Sequence, residues 1–424
     1  MVVKRVLLLA TTTGYQTRMF GEAAERLGVT LVFATDRCDQ LDDPWWDGAI
    51  PVRFHLEATT VQAVITEAER SQFHGVLAVG DRPTVAAAYA ARLLGLAGNS
   101  PDAVKAARDK RLTRERLREA GLAVPDVTVV SRSADPAAVA ERLHFPVVLK
   151  PAVLSGSRGV IRADDAEGFI LAFERLSRLL DAPDVRALRD PAADDVILES
   201  FIPGREFALE GVLEKGRLHT LAVFEKPDPL DGPFFEETIY VTPPRVSDAV
   251  EETIRAAIAA AARALGLQHG PIHGECRVND DGVFVLEVAA RPIGGLCARA
   301  LTFRARHGES ASLEELLIRH VLGESVEPWR PERGATGVMM IPIPGAGVYR
   351  RVEGIERALR VPHIWDVRIT AKPDQVLVPL PEGASYLGFI FARADTTDAV
   401  ERALRDAHGV LNFVIERALP LARR

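Results

Sequence analysis

Three cysteines and no long apolar run set the first limits on this 424-residue chain. Cys38, Cys276 and Cys297 lack the paired spacing of a metal site and the density of a disulfide framework, which fits a reducing compartment. No run of 18 or more apolar residues occurs, so no membrane-spanning helix is expected. The N-terminus places Lys4 and Arg5 before a short apolar run, as a secretion signal would. That run passes straight into Thr11-Thr12-Thr13-Gly14, so a first β-strand and a cytoplasmic protein are the expectation. Excess positive charge is missing too. The 52 basic residues face 59 acidic ones, a net charge of −7, which argues against a nucleic-acid partner. Lysine is scarce: Lys4, Lys105, Lys110, Lys150, Lys215, Lys226 and Lys372 are the only seven. A genome with strong arginine bias accounts for that scarcity. Lysines kept against such a bias are candidates for work that suits a compact ammonium better than a planar guanidinium.

What is present is ordinary in bulk, 47% apolar and 26% charged, and long enough for two or three domains. No internal repeat or low-complexity tract interrupts it. Residues 1–98 alternate apolar strands (5–10, 30–35, 75–80) with helical periodicity (17–27, 59–70, 83–94), a doubly wound α/β pattern. The first loop lacks G-x-G-x-x-G, so a dinucleotide site there is not expected. Gly98-Asn99-Ser100-Pro101 marks a boundary. Beyond it, to about residue 328, helices (102–120, 135–143, 164–180, 248–265, 312–322) and strands (145–151, 196–202, 204–213) alternate in α+β fashion. After Pro328 and Pro331, residues 329–424 turn to short strands and two short helices, read as a small C-terminal α+β domain.

One hairpin stands out. Two strand-like runs flank Asn279-Asp280-Asp281-Gly282, a turn signal. A hairpin centred near Asp281 sets Glu275 opposite Glu287, with Cβ atoms about 5 Å apart, where like charges repel. Cys276, Val278, Phe284, Leu286 and Val288 are then expected on the other face. Two such carboxylates are either surface residues of a solvated hairpin or ligands of a hard divalent cation, which takes oxygen donors.

In chain order the candidates are Lys110; Lys150 at a strand end; the small-residue loop Ser155-Gly156-Ser157-Arg158-Gly159; Glu199-Ser200-Phe201-Ile202; Glu206; Lys226; Glu237 and Tyr240; His273; Glu275; Glu287; Arg291; and Gly294-Gly295. Each has a bland alternative. Lys150 could be a snorkelling surface lysine, the loop a flexible turn, and the glycines a plain turn. The ordered set resembles the ATP-grasp superfamily of ATP-dependent carboxylate–amine ligases over about residues 1–325. Within it the L-amino acid ligases, or dipeptide synthetases, are most similar, through Glu287-Val-Ala-Ala-Arg291 and residues 337–413.

The resemblance implies an α/β domain at 1–98, a two-lobed ATP-grasp domain at 99–328 with its lid lobe at about 125–200, and the α+β domain at 329–424. It implies ATP with Mg²⁺, or Mn²⁺ as an alternative, small-molecule carboxylate and amine substrates, and homodimerisation as in the family. Lys110 and Lys150 would hold phosphates, and Ser155, Gly156, Ser157 and Gly159 would form a phosphate lid. The backbone of Glu199–Ile202 would meet the adenine edge, and Glu206 the ribose. Glu275 and Glu287 would bind metal. Arg291 would stabilise the transferring phosphoryl group, with the Gly294 and Gly295 N–H groups as an oxyanion pocket. Glu237, Tyr240 and Lys226 would face substrate, and His273 would stand behind Glu275.

The chain departs from the superfamily twice. Ala289 replaces a usual third metal ligand, Asn, a replacement the amino acid ligases tolerate, and Tyr240 stands where histidine is common. Two rival readings stay open. One is another ATP-grasp chemistry, carboxylation or a purine-pathway ligation. The other is a nucleotide-binding regulatory protein without catalysis.

Overall fold

The computed structural model describes residues 3–11, 14–36 and 49–417. Cys38 and part of the loop after the first strand lie outside these. The N-terminal sheet is parallel, ordered Ile50–Pro51, Thr30–Thr35, Arg5–Ala10, Gly75–Val79. Strands Arg5–Ala10 and Gly75–Val79 are buried on both faces, as the unbroken apolar runs require. Leu7 and Leu9 pack toward helices Glu57–Arg70 and Thr84–Leu93, while Val6 and Leu8 share a core with Phe224 and Val338 of the large sheet.

The charged stretch 102–120 is two helices, Pro101–Arg108 and Lys110–Glu119, rather than the single one expected. Asp109 breaks it. Its backbone is extended, and its carboxylate accepts from the N–H groups of Arg111 and Leu112, which caps the second helix. Lys110 and Arg114, four residues apart, therefore start a new helix on one face.

The lid lobe is an antiparallel sheet, Val127–Ser131, Asp195–Ser200, Val147–Pro151, Ile161–Ala163. Helix Ala166–Leu180 covers it through Phe169, Phe173, Leu176 and Leu180.

The other lobe is built on an eight-stranded sheet, ordered Gly282–Ala289, Gly270–Asn279, Arg205–Glu214, Arg217–Lys226, Ile239–Thr242, Ala335–Ile341, Gly388–Ala394, Ile364–Ile369. The last three strands follow residue 328, so one sheet runs across the expected boundary, with Ile239 facing Met339 in register. Among the described residues no helix is long and apolar enough to cross a membrane.

The hairpin Gly270–Asn279/Gly282–Ala289 ends this sheet and does pair Glu275 with Glu287. It reaches that register through an irregularity. The two-residue turn sets Asn279 against Gly282 and Cys276 against Val285, which alone would put Leu286 opposite Glu275. A β-bulge inserts Leu286 as an extra residue and restores Glu287. The turn register and the bulge together correct the expected faces. Val283 and Val285, not Phe284 and Leu286, join Cys276, Val278 and Val288 against helix Asp248–Leu265. Phe284 is paired with Arg277, and Leu286 lines the central cavity.

Gly274 sits where that helix presses on the hairpin. A Cβ there would lie 2.7 Å from Cγ2 of the fully buried Ile258. Gly274→Ala is expected to lower unfolding free energy by about 1–3 kcal/mol through overpacking, measured by urea denaturation, and the loss should shrink in an Ile258→Ala background, where Cγ2 is gone.

Candidate active site

A cavity of about 570 Å³ lies between the lobes and the carboxyl ends of the N-terminal strands, where open α/β sheets place ligands. Its lining includes Lys110, Lys150, Ser155, Gly156, Ser157, Glu199, Ser200, Phe201, Ile202, Glu206, Glu237, Tyr240, His273, Glu275, Glu287, Arg291, Gly294 and Gly295. Two expected residues are elsewhere. Gly159 donates its N–H to Pro381 O (2.8 Å), and a Cβ on it would crowd Leu176, so it serves packing rather than the cavity. Lys226 is buried beneath the cavity floor instead of facing in.

The floor is a ladder of charge set by strand register. Lys226, Glu206 and Arg277 stand abreast on three neighbouring strands, and Glu210 stands opposite His273. Lys226 Nζ donates to Glu206 Oε1 (2.8 Å), Glu275 Oε1 (3.0 Å) and Glu237. Arg277 Nε donates to Glu206 Oε2 (2.9 Å). The expected ribose ligand thus has both oxygens engaged.

Burial disfavours charge on Lys226, but the three glutamates outweigh it and hold the ammonium well above its usual range. Burial likewise opposes a charged Glu275, yet Lys226 and His273 keep it well below the usual carboxylate range. Burial raises Glu237, Lys226 pulls it back, and neighbouring Glu275 adds to the rise. His273 bridges Glu210 at Nδ1 and Glu275 at Nε2 (3.2 Å). Burial works against its proton, but the two carboxylates win and lift it to about 9.

Glu206, Glu237 and Glu275 converge closely enough to hold a metal, but Lys226 already fills their centre. The Glu275–Glu287 pair, with Glu287 about one-third exposed, is the better candidate. Six carboxylates (Glu206, Glu210, Glu237, Glu275, Glu287 and Asp81) meet four cations (Lys226, His273, Arg277 and Arg291) here. The excess of two negative charges suits one divalent cation.

The opposite end carries the reverse excess. Lys150 Nζ (2.7 Å) and Arg114 Nε (2.8 Å) both meet Glu199, and Lys110 Nζ donates to Leu154 O (3.3 Å) at the mouth of the Ser155–Ser157 loop. Burial opposes charge on Glu199, but Arg114 and Lys150 bring it down to about 2. Gly156 and Ser157 are both left-handed, with φ of 63° and 57°. A non-glycine there is uncommon and such residues gather at ligand clamps, and a Cβ on Gly156 would meet nothing within 4 Å. This end fits phosphate.

Phe201 is held between Arg162 and Arg277, 4.0 and 5.1 Å from its ring centre. The Ser200 and Phe201 N–H groups are spent on Asp126 O and Pro146 O, which narrows the backbone able to read an adenine edge. Gly295 is left-handed and packed on Phe389, whereas Gly294 is required by neither conformation nor space and leaves an open approach.

Sequence reasoning missed five residues. Asp81, after the strand end at Val79, accepts from Arg291 Nε (2.7 Å). Burial opposes its charge, and Arg291 holds its carboxyl down. Gln16 lines the cavity and donates to Ile293 O (3.3 Å). Arg114, Glu210 and Arg277 complete the networks. Spacing could have found these three: Glu206 with Glu210 and Glu275 with Arg277 share strand faces, and Arg114 follows Lys110 by one helical turn.

Three domain families match the chain in order: the ATP-grasp N-terminal domain over residues 21–98, the ATP-grasp domain over 143–300, and the L-amino acid ligase C-terminal domain 2 over 339–416. This is an ATP-grasp protein. The two ATP-grasp matches and the L-amino acid ligase C-terminal match follow one another along most of the chain. An uncharacterized protein, y4rH, of Sinorhizobium fredii is 24% identical over 416 residues, spanning 96% of this chain and 82% of its own. A D-alanine–D-alanine ligase of Cupriavidus metallidurans is 28% identical over 238 residues, 53% of this chain and 68% of its own. The crystal structure of an L-amino acid ligase from Bacillus licheniformis shares the fold with a TM-score of 0.79 at 24% identity, covering 98% of this chain and all of that one.

Two outcomes follow for this ATP-grasp floor. Lys226→Met leaves buried Glu206 and half-buried Glu237 and Glu275 without their shared cation and is expected to cost about 3–5 kcal/mol in chemical denaturation. His273, raised from 6.5 to about 9, adds stability that is complete below pH 6.5 and lost as pH rises through 9. The loss is on the order of 3 kcal/mol, and His273→Gln should flatten that alkaline slope in the unfolding free energy.

Proposed function

We propose that this ATP-grasp ligase joins an amino acid to an amine, in the manner of the L-amino acid ligases, through an acyl phosphate. The observation that carries the reading is the convergence, in one cavity, of the Glu275–Glu287 pair with Lys110, Lys150 and Arg291 beneath the Ser155–Ser157 loop. The match of residues 339–416 to the L-amino acid ligase C-terminal domain supports the finer placement.

In this reading Lys110 and Lys150 hold the phosphates as point charges, and the Ser155–Ser157 loop covers them. Glu275 and Glu287 would hold Mg²⁺, which when bound neutralises phosphate charge. The substrate carboxylate attacks the γ-phosphorus, an O–P bond forms, and the bond to the ADP oxygen breaks. Arg291 exchanges Asp81 for the transferring phosphoryl group and stabilises its charge, the main source of catalysis in phosphoryl transfer. Gly294 and Gly295 line the approach of the acyl oxygen, and Glu237 receives the substrate ammonium beside Tyr240. The amine then attacks the acyl carbon, a C–N bond forms, and phosphate leaves with the electrons of the C–O bond while the amine sheds a proton. A closed lid keeps out water, which would hydrolyse the intermediate.

The test is phosphate release from MgATP with amino acids singly and in pairs, with products weighed by mass spectrometry. Phosphate with a new amide mass is expected. Glu287→Ala and Lys150→Ala should each lower turnover at least a hundredfold. Turnover that needs bicarbonate, or ATP binding with no release for any pair, would overturn the reading.

A further inference from the structure

Arg114 belongs to none of the roles above, yet it is among the largest fully buried side chains described, with 1% of its surface exposed. Its guanidinium reaches both lobes. Nε donates to Glu199 Oε1 on lid-lobe strand Asp195–Ser200 (2.8 Å), and Glu199 Oε2 in turn holds Lys150 (2.7 Å). Nη2 donates to the backbone oxygen of Leu286 (2.7 Å), the extra residue of the bulge that brings Glu287 opposite Glu275.

The hairpin strand Gly282–Ala289 is the edge of its sheet, so no neighbouring strand fixes the register from outside. Its outer backbone groups are met instead by Ala123 O, which accepts from Val285 N (3.2 Å), and by Arg114. The two-residue turn and the apolar face against helix Asp248–Leu265 fix the register up to Cys276 and Val285, whereas the turn does not dictate the extra residue at Leu286 that follows. Arg114 Nη1 is buried without a hydrogen-bond partner. An unpaired buried donor is a cost to stability.

We propose that Arg114 is a positioning residue: it pins the Leu286 bulge so that Glu287 stands against Glu275, and it ties that pair to the Glu199–Lys150 pair across the cleft. The metal half of this inference rests on the ligase reading above, whereas the register half does not.

Arg114→Lys and Arg114→Gln both test it, either sufficing once thermal unfolding shows it folded. A lysine retains charge for Glu199 but lacks the fork that also reaches Leu286. Hydrogen exchange without ligand should show amides 285–288 exchanging at least tenfold faster, with strand Arg217–Lys226 unchanged. The Mn²⁺ concentration that half-saturates the ATP complex, read by electron paramagnetic resonance, should rise about tenfold, while ATP affinity in EDTA changes less than threefold. Unchanged exchange and Mn²⁺ binding would overturn the proposal, as would ATP and Mn²⁺ affinities that weaken by one common factor. A parent protein whose ATP binding ignores Mn²⁺ would overturn the ligase reading and the metal half with it, and the exchange contrast would still decide the register half.

Discussion

Buried charge that must be neutralised in place is the constraint on which the rest of this molecule depends. Glu206 and Glu210 lie on one strand with almost no access to water and Glu275 stands half-buried on the next, and each is matched by a cation fixed through strand register: Lys226, His273 and Arg277. A carboxylate left alone there would protonate rather than stay charged. Because the cations are backbone-registered, a shift of any one strand would uncouple several pairs at once. The sheet is therefore held by its polar face as firmly as by the apolar face against helix Asp248–Leu265. The network stops short of neutrality at Glu287, where the floor meets the cavity.

Much of this was legible from the chain alone, because strand and helix periods are local. The parallel strands Arg5–Ala10 and Thr30–Thr35 and the helix Asp248–Leu265 fall where apolar spacing puts them. The Glu275–Glu287 pairing was legible from the turn composition, although the bulge that produces it was not. The groups that meet the bulge from outside the hairpin, Arg114 and Ala123, lie far upstream in the chain. Asp81 was invisible for the same reason, since its partner Arg291 lies 210 residues away. Lys226 and Gly159 were misread because their neighbours are brought in by folding from distant parts of the chain, three glutamates in one case and Leu176 with Pro381 in the other.

The two ends of the cavity carry opposite charge, and each was assembled from a different part of the fold. The lid lobe and the Lys110–Glu119 helix supply the cationic end, and the large sheet supplies the anionic end. Arg291 stands between them, held by Asp81 of the N-terminal domain. A nucleotide with its metal presents the complementary series of charges along its length, so all three parts of the chain are drawn toward one occupant.

The strands Ala335–Ile341, Gly388–Ala394 and Ile364–Ile369 complete the sheet that carries the charge ladder. The last ninety residues are thus not an appendage that could be exchanged or trimmed. Cutting the chain near residue 328 would strip a hydrogen-bonded partner from Ile239–Thr242 and expose Ile239 and Val241, now fully buried, along a raw sheet edge. Such an edge invites pairing with other chains. The modularity visible along the primary structure is therefore not a modularity of the packed sheet.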